Sequence, residues 1–345
     1  MKLNGSSLLQ EIKHASSVTG AELVHLRATP GSLHISASND GRAFSTVVEV
    51  EAKEKWACAI KPADGIAKTL KGVVTLEVDE KSITVKTSTY KGTFQHEPYM
   101  AADFAKFDKA IKLDAAQSEL LMTAVDKTNV GSILSEVNFE FRSSKNGFRA
   151  AAWDRVHFAL LDAKKPGPDM HARMVATDLH QMLSAVPTDE KGLHFATDGG
   201  FMFASNSTSK YVAPAVQVAE EQGLKELMAV RKGFMKPLCS LVGKELREAI
   251  DRATSACETG QSVQIQISKG KVYVRVESKR GKFVEVVSAE GAKKSADLHV
   301  DPATILDLLA LAPDEVQLGV EGSFLWLATQ SEDVVCYFAC LTAQA

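Results

Sequence analysis

The stretch GFRAAAWDRVHFALLD, residues Gly147–Asp162, decides how the rest of the chain is interpreted. Side chains alternate between two faces over residues 148–153 and again over 156–161, which is typical of half-buried β-strands. The two runs meet at Asp154-Arg155, and another alternating run begins before them at Val137. We therefore predict an antiparallel three-stranded meander in the middle of the chain.

Helix starts recur along the chain at a nearly constant spacing. Capping residues and apolar stripes place these starts near residues 5, 61, 114, 177, 243 and 301, roughly 53 to 66 residues apart. A short strand precedes each helix, and three alternating runs follow it. The sequence therefore predicts a β-α-β-β-β unit that occurs six times.

A single unit of this kind is too small to enclose a core, so consecutive units are expected to pair. The predicted fold class is α+β, with three tandem domains that each contain a doubled unit. We expect these domains at residues 1–108, 109–218 and 219–345, with a connector at 216–236.

Local signals predict how the first two helices begin. Asn4–Ser7 opens the first helix, and Ser7 and Gln10 have the spacing of a capping box. Pro62 stands at the first position of the second helix, and Gly72 closes it. The second helix is therefore expected to run from Pro62 to just before Gly72.

Composition limits the classes of function. The 345 residues are 45% hydrophobic and 24% charged, with a net charge of −3, so a role with nucleic acid must depend on local charge. Five cysteines without a CxxC motif favour a reducing compartment, and we expect a cytoplasmic protein. No apolar run reaches the roughly 18 residues of a membrane span, and Met1–Asn4 does not begin a signal peptide.

The sequence lacks recognisable catalytic motifs. The sequence contains no nucleophile elbow, phosphate loop, zincin motif or dinucleotide-binding loop, and its nine histidines are scattered. Cys336 and Cys340 share one face of a predicted strand, which fits two core thiols better than a metal site. Asp154 is interpreted as a turn-capping residue. We predict a protein that is not an enzyme and needs no cofactor or metal.

The six-unit layout resembles the bacterial DNA sliding clamp, the beta subunit of DNA polymerase III. Residues 151–159 (AAWDRVHFA) stand where the family has V-A-T-D-G-H-R-L-A. Residues 100–104 resemble its L-P-A-x-D-F segment, and residues 337–342 take the place of its Y-V-V-M-P-M tail. The chain departs from the family at Arg155–His157, lacks a clear F-P-D-Y-R-R segment and has lost Met-Pro-Met. Such divergence suggests a clamp carried by a phage or plasmid.

The resemblance implies a processivity factor that encircles duplex DNA without reading its sequence and tethers the replicative DNA polymerase and other partners. The chain would form half of a six-domain ring as a head-to-tail homodimer. A clamp-loader ATPase would open the ring, because the chain has no phosphate loop of its own. The alternative is a clamp-like, β-rich interaction scaffold that never encloses DNA.

The resemblance also assigns three groups of residues. The expected DNA contacts are Lys13, Lys68, Lys71, Lys127, Arg247 and Arg252. The expected pocket for a short partner peptide with apolar anchors is lined by Arg155, Val156, His157, Phe158, Pro214, Cys340, Leu341 and Thr342. The expected dimer interface joins the strand near Tyr90–His96 to the strand near Lys282–Ser288, through Tyr90, Lys91, Phe94, His96, Lys282, Phe283 and Glu285.

Two of these assignments have simpler explanations that the sequence leaves open. The charges of the fifth helix, including Arg247 and Arg252, also fit a solvated face with i,i+4 ion pairs. Phe158 and Leu341 could equally fill the cores of their domains instead of lining a pocket.

Overall fold

The computed structural model describes residues 1–18, 20–62, 65–102, 104, 107, 110–128, 138–144, 147–153, 157–164, 170–198, 200–215, 236–291, 294–312, 314–330 and 334–342. The chain has the predicted α+β composition, with sheet dominating over helix. Within these ranges, no helix is both long enough and apolar enough to cross a membrane.

Six helices occur in the described residues, close to the predicted starts. They are α1 (Gly5–Ser16), α2 (Ile66–Thr69), α3 (Ala115–Thr128), α4 (Ala176–Ala185), α5 (Gly243–Thr254) and α6 (Pro302–Leu311).

Each helix follows one strand and precedes three, as the repeat predicts. The first pair of units contains β1 (Lys2–Asn4), β2 (Val24–Thr29), β3 (Ser32–Asn39), β4 (Arg42–Glu49), β5 (Trp56–Ile60), β6 (Val73–Val78), β7 (Ser82–Lys86) and β8 (Lys91–Gln95). The second pair contains β9 (Ile111–Leu113), β10 (Asn138–Ser144), β11 (Gly147–Trp153), β12 (His157–Ala163), β13 (Met170–Val175), β14 (Leu193–Asp198), β15 (Phe201–Ser205) and β16 (Ser209–Pro214). The third pair contains β17 (Cys239–Val242), β18 (Val263–Ser268), β19 (Lys271–Ser278), β20 (Gly281–Ser288), β21 (Ala296–Val300), β22 (Glu315–Glu321), β23 (Phe324–Gln330) and β24 (Val334–Leu341).

The predicted central meander is confirmed. β10, β11 and β12 pair antiparallel in sequence order, with Phe141 opposite Ala150 and Ala151 opposite Leu160. The junction of the last two strands, residues 154–156, lies outside the described residues.

The first helix begins differently from its predicted capping box. Asn4 is the N-cap, and its side-chain oxygen accepts hydrogen bonds from the backbone N–H groups of Ser6 and Ser7 at 2.9 and 3.3 Å. An asparagine is among the best N-cap residues, so it captures the helix start three residues before Ser7 can act. Leu8 and Ile12 then form the buried stripe.

The second helix is much shorter than predicted. It occupies only Ile66–Thr69, because Gly65 precedes it with a φ of 86°, in the left-handed region. That conformation interrupts the helix expected to start at Pro62. The predicted closure at Gly72 is also wrong, because the helix is capped at Leu70 and Gly72, with a φ of 66°, lies two residues beyond the cap.

Consecutive units exchange their first strands. β1 joins β6, β7 and β8, whereas β5 joins β2, β3 and β4. The same exchange couples β9 to β14–β16, β13 to β10–β12, β17 to β22–β24 and β21 to β18–β20. Units one and two, three and four, and five and six are therefore interlocked, which is the doubling that the sequence predicts.

Two antiparallel contacts between last strands extend these sheets further. β4 pairs with β16, and β12 pairs with β24, so two of the four sheets have eight strands. The chain accordingly divides into two compact units, residues 1–122 with 178–216 and residues 123–177 with 217–345. Each eight-stranded sheet contains strands from two predicted domains, β4 with β16 in one sheet and β12 with β24 in the other. The predicted three-domain boundaries therefore stay a prediction.

Candidate functional site

The last strand of each unit defines the most informative feature of the fold. We call β4, β12 and β20 the odd last strands, and β8, β16 and β24 the even last strands. In both eight-stranded sheets, an odd last strand pairs with the even last strand of the next pair of units: β4 with β16, and β12 with β24. The remaining two, β20 and β8, each end a four-stranded sheet, and no other strand of the described residues pairs with their outer edges.

The β4–β16 contact, which we call the first closed seam, has an aromatic centre. Phe44 lies directly opposite Tyr211, and the two buried rings have centroids 6.2 Å apart. Beside them, the hydroxyl oxygens of Thr46 and Ser209 are 2.9 Å apart, so both buried groups are satisfied. Cross-strand pairs of this kind are the units that stabilise a sheet.

A buried ion pair reinforces the first closed seam. Arg42 begins β4, and its Nε and Nη2 donate to the two carboxylate oxygens of Asp178, each at 2.8 Å. Asp178 is only 1% exposed and lies in the first turn of α4, where the helix dipole favours a negative charge. The hydrogen bond to Asp178 raises the pKa of Arg42 above its ordinary value. Burial likewise raises the pKa of Tyr211, whose hydroxyl donates to Gln181 at 3.2 Å.

The β12–β24 contact, the second closed seam, is apolar at its centre. Ala159 lies opposite Phe338, and Phe158 lies opposite Ala339. Phe158 packs in a buried cluster whose other members are Ala151, Leu160, Trp326, Ala328 and Ala339. A Cβ added at Gly319 would lie 2.2 Å from the Trp326 ring, so only glycine allows the tryptophan to lie there.

The two closed seams have the same register. Equivalent residues of the odd last strands can be found by counting along the strand before each of them. The residue that lies opposite the sixth residue of that strand is Phe44 in β4, Ala159 in β12 and Phe283 in β20. On the even strands, the fourth residue from the end is Tyr211 in β16, Phe338 in β24 and Gly92 in β8. Phe44 meets Tyr211, and Ala159 meets Phe338, so the equivalent residues pair in both seams.

The outer edge of β8 carries several of the predicted interface residues. Lys91 is exposed and Phe94 is half-buried in β8, whereas Tyr90 precedes the strand and is 43% exposed. The Tyr90 ring covers Gly92, since a Cβ at Gly92 would lie 2.1 Å from the phenol oxygen. His96 follows the strand, and its Nε2 lies 2.9 Å from the backbone oxygen of Asp79.

The outer edge of β20 has apolar and charged side chains on both faces, with Lys282, Val284 and Val286 on one face and Phe283 and Glu285 on the other. Val284 and Val286 are 56% and 47% exposed. On the helix-facing side, Glu285 accepts two hydrogen bonds from Arg252 of α5, at 3.0 and 2.5 Å, and this contact lowers the pKa of Glu285. Lys282 pairs with Glu277 of the neighbouring strand at 2.9 Å. Two exposed valines on a sheet edge are unusual unless another strand covers them.

The predicted DNA-contacting residues occupy four helical regions. Lys13 on α1, Lys68 on α2, Lys71 just beyond α2 and Arg247 on α5 are exposed. Arg252 is bound to Glu285, so this guanidinium is already engaged. Only the backbone of Lys127 is described, within α3.

Two of the residues predicted to line the peptide pocket are buried in the structure. Phe158 is 3% exposed and Cys340 is fully buried, with its pKa raised to about 12 by burial, so both are core residues and offer no open wall. The Thr342 hydroxyl donates to the Ser323 carbonyl at 3.1 Å. Pro214 ends β16 opposite Phe201.

Four members of the pocket assignment remain without side-chain description. Arg155 and Val156 lie outside the described residues, and only the backbone of His157 and Leu341 is described, in β12 and β24. All five cysteines are buried and free, including Cys336 and Cys340, the two that the sequence places on one face of β24.

Comparisons with known proteins agree with this geometry. The DNA polymerase III beta chain of Streptococcus pneumoniae TIGR4 superimposes with a TM-score of 0.81 at 12% identity, over 100% of this chain and 99% of that one. The chain has the sliding-clamp fold. The DNA polymerase III beta subunit of Thermotoga maritima matches with a TM-score of 0.81 at 17% identity, and the DNA polymerase sliding clamp of Pseudomonas aeruginosa with 0.80 at 14%, at the same coverage. No protein-family model and no curated protein matches the sequence.

Sequence reasoning missed the features that hold the clamp fold's closed seams together. Arg42 and Asp178 are separated by 136 positions, and neither stands in a recognisable motif. Polar residues near the start of a strand and of a helix are ordinary in both places, so only the pairing of β4 with β16 identifies them as partners.

Proposed function

We propose that the protein is a DNA sliding clamp, a processivity factor that encircles duplex DNA and tethers a DNA polymerase. The observation that supports this most directly is that β8 and β20 are sheet edges. The other last strands pair odd with even, whereas these two have no such partner among the described residues. The sliding-clamp fold over the full length of the chain supports the same function.

The assembly we propose is a head-to-tail homodimer with three clamp domains in each chain. Among the described residues, β20 and β8 are the odd and the even last strand that have no such partner, and a second copy of the chain would supply one to each. β20 of one chain would then pair with β8 of the other, and closure removes both free edges. If the contact between copies keeps the register of the closed seams, Gly92 would lie opposite Phe283, Lys91 opposite Val284 and Tyr90 opposite Glu285.

The residues at that register are complementary. Gly92 occupies the position that Tyr211 occupies in the first closed seam, and Phe283 the position of Phe44. Tyr90 already covers Gly92 with its ring, so it can supply the aromatic partner for Phe283 that Gly92 lacks. Val284 and Lys91 would meet on the opposite face, where the lysine stem can cover the valine.

The proposed DNA contact is electrostatic and independent of base sequence. Phosphates can be held loosely by Lys13, Lys68, Lys71, Lys127 and Arg247 without trapping the ring at one site. We expect Arg252 to contribute least, because Glu285 already binds it. The net charge of −3 means that retention on DNA would depend on enclosure more than on attraction.

The remaining elements of the proposal come from the clamp resemblance. We propose no catalytic activity, a clamp-loader ATPase that opens the seam, a cytoplasmic location and a phage or plasmid origin. A partner peptide would bind near Arg155, Val156, His157, Leu341 and Thr342, with Phe158 and Cys340 supporting the site from the core. Phe158→Ala should therefore reduce peptide binding mainly by destabilising the fold.

A covalent ring tests the proposal without a loader. Lys91→Cys combined with Val284→Cys should cross-link in register between copies, because directly opposite residues lie within disulfide range. Oxidation in the presence of nicked circular plasmid should leave protein that resists about 1 M salt and is released when the plasmid is cut.

The matched control is Lys91→Cys with Glu285→Cys, a one-residue slip that points the two thiols to opposite faces. It should form little covalent ring and show no topological retention. Equal release from circular and linear plasmid by the in-register variant would contradict the clamp and favour an interaction scaffold. A monomer of about 37 kDa at micromolar concentration would contradict the dimer.

A further inference from the structure

A cavity of about 740 Å³ lies in the first compact unit, at the end of the sheet that terminates in β8. Four lysines from three parts of the chain line it: Lys2, Lys68, Lys71 and Lys86. The turn between β7 and β8 adds the hydroxyl groups of Ser88 and Thr89. Lys68 and Lys71 are among the predicted DNA contacts, whereas the sequence does not predict that Lys2 and Lys86 lie beside them.

The lysines are held close together by sheet register. Lys2 of β1 lies opposite Thr75 of β6, and Thr75 lies opposite Lys86 of β7, so the two lysines flank one threonine in a row across the sheet. α2 and the residues after it bring Lys68 and Lys71 to the same cavity. Like charges gathered in this way repel each other unless an anion lies between them.

The cavity has an excess of unmatched positive charge. Among the described residues, Lys2, Lys68 and Lys71 form no ion pair, and only Lys86 has a carboxylate partner, Glu77, which does not line the cavity. Among the described residues that line the cavity, the polar side chains carry amino and hydroxyl groups and none is acidic, while Val73 adds an exposed apolar side chain. Ammonium and hydroxyl donors together are the usual protein ligands of phosphate oxygens.

We propose that this cavity binds a ligand made of linked phosphate groups, either a stretch of nucleic-acid backbone or a free polyphosphate. A single phosphate carries too little charge for four ammonium groups spread over this volume, whereas a phosphate chain can contact all of them. Compact ammonium charges suit phosphates, and the described lining residues include no arginine fork for a planar carboxylate. Only the nucleic-acid source rests on the proposed clamp function, since the cavity forms within one chain.

Calorimetric titration of the full-length protein with inorganic tripolyphosphate at low salt tests the site. We expect one tripolyphosphate per chain and an affinity at least about tenfold weaker in the Lys68→Ala, Lys71→Ala variant. The control variant Lys53→Ala, Lys55→Ala removes the same charge from exposed positions of the same compact unit and should change the affinity less than about twofold. Equal losses in both variants, or no binding by the wild type, would overturn the proposal.

A short single-stranded oligo(dT) distinguishes the two sources. Competition between oligo(dT) and tripolyphosphate, with both weakened by the lysine substitutions, identifies the nucleic-acid backbone as ligand. Tripolyphosphate binding that ignores oligo(dT) identifies a free polyphosphate, which also supports the site. A covalent ring that is retained on circular DNA but binds no tripolyphosphate would overturn this site alone. Lysine-dependent tripolyphosphate binding without topological retention would support the site and contradict the clamp.

Discussion

The first closed seam and the open edges of β8 and β20 occupy equivalent places in the repeat but are built differently. In the closed seam, Phe44 and Tyr211 are fully buried, and the Arg42–Asp178 ion pair is mostly buried. The open edges instead expose Val284 and Val286 and carry their charges at the surface. The same register would therefore serve both the contact within the chain and the contact that we propose between copies.

The largest expected effect comes from removing the aromatic centre of the first closed seam. Phe44→Ala deletes a fully buried ring, which should lower the free energy of unfolding by about 3 to 5 kcal/mol. Urea unfolding followed by tryptophan and far-ultraviolet signals would measure the loss in the earliest transition. An unchanged transition would show that the seam contributes little to the first compact unit.

The buried ion pair should give the next largest effect. Asp178→Asn leaves the Arg42 guanidinium without its counter-charge, and we expect a loss of about 3 kcal/mol in unfolding free energy. The double variant Arg42→Met, Asp178→Leu removes both charges and should recover most of that loss. A double variant as unstable as Asp178→Asn would mean that the helix position of Asp178 matters more than the pair.

Phe283→Ala tests the equivalent position on the open edge. Phe283 is half-buried, so its removal should change the unfolding transition by less than about 1 kcal/mol. The dimer dissociation constant should rise about 30-fold, equivalent to about 2 kcal/mol, if Phe283 packs across the seam. Analytical ultracentrifugation would measure this constant. A dissociation constant unaffected by Phe283→Ala would contradict the proposed register.

The smallest effect concerns the exposed Arg252–Glu285 pair. Arg252 lowers the pKa of Glu285, so the pair stabilises the folded state above the unfolded glutamate pKa of roughly 4.3. This stabilisation is lost as the pH falls through the lowered folded pKa. Glu285→Gln should cost about 0.5 kcal/mol at pH 7 and show no difference from the wild type well below pH 4. A difference that persists at low pH would point to a role other than charge pairing.

The sequence predicts the repeat well because strand and helix periods are local properties. Both Trp56–Ile60 and Ala296–Val300 have the bounds expected of the strands that precede the second and sixth helices. Strand pairing is not a local property. A period of two predicts which face of a strand is buried, but it does not predict which strand lies beside it. The exchange of β1 with β5 and the register of the closed seams therefore had to come from the structure.

The candidate site was predicted less completely than the fold, for physical reasons that differ between residues. β8 and β20 are sheet edges as the clamp resemblance implies. Phe158 and Cys340 are core residues instead, because an alternating apolar strand looks the same whether its faces meet a peptide or another strand. The α2 prediction failed at Gly65, since a left-handed φ depends on the surrounding loop and not on a helix signal.

The exchange of first strands also sets an order of events while the chain is being synthesised. Lys2 pairs with Thr75, so β1 leaves the ribosome about 70 residues before its partner exists. Each following pair of units repeats this delay, and every such pairing closes a long loop before it gains contacts. We expect the chain to become compact in steps of two units, with a solitary first strand exposed at the beginning of each step. Chaperones that bind extended, strand-like segments would have their best opportunity at those moments.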